Sequence, residues 1–175
     1  MNELKYPIGK FEYFGMKSLD ERDEAIESLL LIPFVLRQEV EELNDEQLDC
    51  TYRENGWTIR QVVHHLADAH LNAYLRFKLA LTEENPTIKP FLEAKWAETP
   101  DCKKGEISIS LDLLEATHRR WNALLRAMSN HDFEKTYFHP EQQRIFTLDE
   151  ALSLYEWHGH HHIAHITTVK ARKGW

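Results

Sequence analysis

Three times in this chain a Ser or Thr is followed three residues later by Glu or Gln, and a long helical run comes next each time: SLDE (Ser18, Glu21), TIRQ (Thr58, Gln61) and TLDE (Thr147, Glu150). Such a pair satisfies two of the backbone N–H groups that a first helical turn leaves without partners, so each motif marks a helix start. A further helical run, SLDLLEATHRRWNALLRAMSN, spans 110–130. Four long helices in 175 residues predict an all-α four-helix bundle, one domain over 1–175 with a core large enough to need no staple.

The breaks between the runs are informative. Pro33 lies inside the first run and is expected to kink that helix or to restart it as a first-turn residue. Asn44 opens a short turn. Residues 85–108, NPTIKPFLEAKWAETPDCKKGEIS, are too long for a tight turn and predict a crossover between helices that need not be antiparallel neighbours. Residues 131–146 contain a possible small hairpin turning at HPEQQ, and Gly174 after KARK suits a helix end.

Charge and composition exclude several classes. A net charge of −8 argues against a nucleic-acid partner, which needs clustered Lys and Arg. No apolar run approaches the roughly 20 residues of a membrane span, so no membrane partner is expected. The opening MNELKYPIGKFEYF lacks a basic region followed by an apolar one, and Cys50 and Cys102 form no C-x-x-C pair. A cytoplasmic protein with two reduced thiols is expected.

The chain has 11 histidines, and five of them fall within EWHGHHHIAHI, residues 156–166. At about 100° per residue, Leu148, Ala151, Leu154, Tyr155, Ile166 and Val169 define the apolar stripe of the last helix. His158 and His162 fall inside that stripe one turn apart, His165 at its edge and His161 further out. His160 points to the opposite side, towards water. On the second helix His65 borders the stripe, His64 points about 180° from its centre, and His70 is the spare candidate on the other flank. An i, i+4 pair on one face lets two imidazoles reach one ion, and a third ring on a facing helix completes a triad of His65, His158 and His162. The same spacing suits a hydrogen-bonded polar cluster, because buried imidazole nitrogens need partners of some kind. Gly159 leaves room for a neighbouring helix or a ligand. His118 reads as structural, and His131 and His139 as loop residues. Trp57, Trp96, Trp121 and Trp157 read as packing, Trp57 as a staple at the helix start.

The segments YRENGWTIRQVVHHLADAHLNAYLRFKLALTEENPTIKP, LLEATHRRWNALL and FTLDEALSLYEWHGHHHIAHI, with YPIGKF near the start, resemble the DinB/YfiT-like family of metal-dependent hydrolases. The resemblance runs over nearly the whole chain. It implies a four-helix bundle with a long crossover and a divalent ion held by the second histidine of VVHHL, His65, and the outer pair of HGHHH, His158 and His162. It also implies a homodimer.

Three imidazoles with an open position are the catalytic kind of zinc site, able to lower the pKa of a bound water to about 7 for attack on a small-molecule substrate. Nickel suits the same donors. Hydrolytic sites usually add a carboxylate, yet Asp149 and Glu156 face away from the stripe; Asp68 and Glu93 are groups the fold could recruit, and otherwise the base comes from elsewhere or the chemistry needs none. A site without a base suits a second reading, a thiol S-transferase that activates a low-molecular-weight thiol such as bacillithiol. A third is a non-catalytic metal-binding domain.

Overall fold

The computed structural model describes residues 4–175. Four long helices carry the fold: α1 (Leu19–Val40), α3 (Ile59–Thr82), α6 (Ile107–Ala127) and α8 (Leu148–Lys173). Between them lie α2 (Asp45–Leu48), α4 (Glu93–Trp96), α5 (Pro100–Lys104), α7 (Asn130–Glu134) and an antiparallel hairpin of β1 (Thr136–His139) and β2 (Arg144–Thr147). The hairpin turns through residues 140–143, within the predicted segment.

Local chemistry sets the starts. Ser18 and Thr58 form complete reciprocal caps with Glu21 and Gln61. Thr147 accepts from the Glu150 amide, but the Glu150 carboxylate is drawn away to Arg144 on β2, so this box is only half closed. Pro33 does not break its helix: α1 runs unbroken from Leu19 to Val40 and Pro33 is buried within it.

Contacts along the helices fix their directions. Arg22–Asp149, Ser28–His160 and Glu39–Lys170 advance together, so α1 and α8 run parallel. His64–Ser110, His70–His118 and Phe77–Trp121 make α3 and α6 parallel as well. Arg126–Glu27 with Arg37–Asp112, and His65–His162 with Arg76–Tyr155, make α1/α6 and α3/α8 antiparallel. The order around the bundle is therefore α1, α6, α3, α8. Parallel α3 and α6 require the long crossover to return the chain to its starting end.

The core is closed by Ile32 and Leu36 from α1, Leu66 and Phe77 from α3, Trp121 from α6 and Ile166 from α8, all fully buried. At Gly159 α8 lies tight against α1, since an added Cβ would clash with Cδ1 of buried Ile32 and lie 3.0 Å from both its Cγ1 and Cγ2. Gly159→Ala should therefore destabilise by about 1–3 kcal/mol of overpacking, outweighing the roughly 1 kcal/mol of helix propensity it gains. A urea titration checks the sign.

Candidate metal centre

The triad converges. His65 on α3 and His158 and His162 on α8 each present a ring nitrogen, and the three nitrogens lie within 4.8 Å of one another. The Nε2 atoms of His65 and His158 are 3.2 Å apart. Two ligands at 2.0–2.1 Å on a tetrahedral zinc are about 3.3 Å apart, so this spacing fits a shared ion. The ring centroids of His65 and His162 are 4.7 Å apart, and those of His158 and His162 are 4.6 Å apart. Among the three, His162 keeps a buried Nδ1 without a hydrogen-bond partner, as His161 and His165 do beside it, so this end of the helix carries imidazole nitrogens that protein groups alone do not satisfy.

Burial makes these rings good donors. Desolvation, followed by the nearby His165, pushes His65 down to about 3, and desolvation holds His158 and His162 well below the ordinary imidazole range. Neutral rings keep their lone pairs, which is the form a metal binds. Trp57 packs on His65 at 4.6 Å between centroids, and Phe91 stacks on it at 5.8 Å. Trp57 and Trp157 both line the cavity that opens on these rings, a role beyond the packing expected of them.

Two open cavities of about 340 and 510 Å³ meet at His158 and Glu93. The first also holds His65, His162, Lys5 and Arg53. The second holds Arg76, Lys95, His139 and Tyr155. Glu93, from α4 in the crossover, is the carboxylate that helical periodicity could not place, and desolvation raises its pKa. Asp68 is raised to about 6, chiefly by desolvation, but it faces Cys102 on α5, outside both cavities. Arg76 is a further group the sequence reading missed. It is 9% exposed and bonds the Tyr155 hydroxyl at 2.6 Å, with no carboxylate within ion-pair distance among the described residues. Its signal was an arginine beside the stripe residues Ala73 and Phe77.

Several neighbouring histidines differ from expectation because other elements cover the faces assumed to meet water. His160 bonds Ser28 Oγ on α1 at 2.8 Å. His64 is buried under the crossover, 2.7 Å from Ser110 Oγ and 3.3 Å from the Gly105 carbonyl. His161 stacks on Trp157 and His165 on Tyr52, while His165 Nε2 lies 3.2 Å from the Lys5 carbonyl. His70 is turned away from the donor set towards Nδ1 of His158. His131 lies on α7, and His139 ends β1 in a buried position. Asp149 is also buried, held by Arg22, Tyr13 and the Lys17 amide.

A family model for the DinB superfamily matches residues 34–166. "Putative metal-dependent hydrolase YfiT" of Bacillus subtilis is 50% identical over 172 residues, 98% of this chain and 97% of that protein. A like-named protein of Oceanobacillus iheyensis is 51% identical over the full length of both chains. The solved structure of the B. subtilis protein, described as having an "unusual four-helix bundle topology", superposes with a TM-score of 0.97 over 99% of each chain. The parallel pairs α1/α8 and α3/α6 give that description a physical content. With its bundle order, its crossover and its converging histidines, this chain belongs to the DinB superfamily.

Proposed function

We propose that this protein is a metal-dependent hydrolase acting on small substrates that carry an anionic group, with His65, His158 and His162 as metal ligands. The observation that carries the reading is a single open cavity lined by the three converging imidazoles and by one carboxyl group, Glu93, with His158 and Glu93 also lining the second cavity. Its relatives carry the same functional name. When bound, a divalent ion supplies Lewis acidity, and zinc or nickel suits three nitrogen donors.

The chain's own groups divide the remaining work. Glu93 takes the proton of an attacking water at its carboxylate and returns it to the leaving group as the scissile bond breaks. Its raised pKa makes the carboxylate a stronger base for the first of these transfers. Among the described residues no carboxylate pairs with Arg76, whose bond to the neutral Tyr155 hydroxyl leaves its charge uncompensated, so it is assigned to the substrate's anion. Trp57 and Phe91 hold the His65 ring in place and exclude water from its face.

The test is zinc-loaded protein assayed on matched esters and amides with and without a carboxylate, beside thiol–electrophile pairs. Hydrolysis that favours the anionic substrates supports the proposal. Glu93→Gln should then lower kcat by about 10²–10⁴-fold. Arg76→Met should raise KM about tenfold or more for anionic substrates alone, as a lost charged hydrogen bond does. Thiol-dependent consumption of an electrophile without hydrolysis would replace this reading with the S-transferase.

A further inference from the structure

We infer that Pro33, His118 and His70 form a relay that fixes the tautomer of the ligand His158 from the far side of the bundle. The inference rests on the three-histidine reading for its purpose, though its geometry stands apart from any ion. A proline inside a helix cannot donate to the carbonyl four residues earlier. In α1 that carbonyl belongs to Leu29, and it accepts instead from Nδ1 of His118 on α6, at 2.8 Å. Thus the proline that looked like a helix breaker has freed an acceptor.

From that carbonyl the proton positions follow one after another. A carbonyl only accepts, so Nδ1 of His118 carries hydrogen, and in a neutral ring Nε2 then presents a lone pair. That lone pair meets Nδ1 of His70 on α3 at 2.8 Å, which must therefore donate. Nε2 of His70 is left as an acceptor, 3.2 Å from Nδ1 of His158 on α8. His158 is thereby held as the Nδ1–H form, with the Nε2 lone pair turned towards Nε2 of His65. One backbone acceptor sets three rings, and the chain of bonds passes through all four long helices.

Burial keeps the links neutral. His118 is 1% exposed and His70 fully buried, and desolvation lowers the pKa of both. The far end is an amide carbonyl, which does not accept a proton at ordinary pH, so the chain orients His158 and offers no proton exit. His118 and His70 are positioning residues. A metal-binding histidine commonly donates its other N–H to an acceptor that fixes ring and tautomer. Here that acceptor is itself an imidazole whose state is set two links away.

The test combines long-range ¹H–¹⁵N spectra of the metal-free protein with zinc affinity measured against a chromophoric chelator. Wild type should show His118, His70 and His158 all protonated at Nδ1. His118→Phe keeps a ring but removes both nitrogens, so His158 should divide between tautomers and zinc affinity should fall about 10–100-fold. His118→Gln can donate to Leu29 and accept from His70, and should recover most of the loss. Pro33→Ala adds an N–H in line with the Leu29 carbonyl that competes with His118 for it, so the melting temperature should hold or rise while zinc affinity falls, a divergence that a packing role does not produce. Should His118→Phe not fold, Pro33→Ala decides alone. An unchanged His158 tautomer and zinc affinity within twofold of wild type in the folded variants would overturn the relay. Wild-type protein that binds no zinc would overturn the three-histidine reading instead, and the spectra would still decide the relay.

Discussion

Replacing His158 or His162 with alanine should abolish tight zinc binding, with His65→Ala behaving alike, while His160→Ala stays near wild type. The expectation follows from where each ring points. His158 and His162 contribute to the converging donor set together with His65, whereas His160 is spent on Ser28 of α1. Loss of a ligand should exceed the roughly 10–100-fold that loss of an outer partner costs. His160→Ala should cost only about 0.5–1.5 kcal/mol of stability, the usual worth of one hydrogen bond. Isothermal titration with zinc beside thermal melts separates these effects. Equal zinc affinity in all four variants would contradict the assignment.

Acid should destabilise the metal-free protein steeply, beginning below about pH 6.5. Seven histidines set the direction. Burial lowers His65 to about 3, His118, His161 and His165 to about 4, and His70, His158 and His162 well below their ordinary value. A base whose folded pKa is depressed binds fewer protons folded than unfolded. Its contribution is complete above the unfolded pKa of about 6.5 and is lost as pH falls towards the folded value. Each fully buried ring adds a slope of up to about 1.4 kcal/mol per pH unit, so several together dominate the acid limb. Release of a bound ion is correspondingly expected below the ordinary imidazole range, later than ring protonation near 6.5 alone would give. Urea midpoints at pH 7, 6, 5 and 4 in the presence of chelator check this, and a flat profile over that range would contradict it.

Local and periodic signals carried most of the fold. The boxes at Ser18 and Thr58 are visible because a cap is chemistry among four consecutive residues, and both formed. Asn44–Gln47 and Ser129–Asp132 form equally good boxes but open helices of four and five residues; the first is legible only as a short turn at Asn44 and the second not at all, because neither leads into an amphipathic run. The i, i+4 spacing of His158 and His162 was legible because a helix places such residues on one face. A helical wheel also assumes water opposite the core, and there it misled. Glycine at 159 lets α1 close over His160, the crossover covers His64, and the N-terminal segment with Arg22 buries Asp149. Glu93 could not be placed, because the path of a 24-residue crossover depends on the surface it finally packs against. Pro33 was visible as an anomaly, but its use lay in a histidine 85 positions away, beyond any local rule.

The most direct measurement is metal content and X-ray absorption of the untagged protein after zinc has been supplied and excess removed. The account predicts one zinc per chain, with three imidazole nitrogens in its coordination shell and a fourth position filled by a light atom. A sulfur ligand, fewer imidazoles, or no ion retained at stoichiometric occupancy would contradict it.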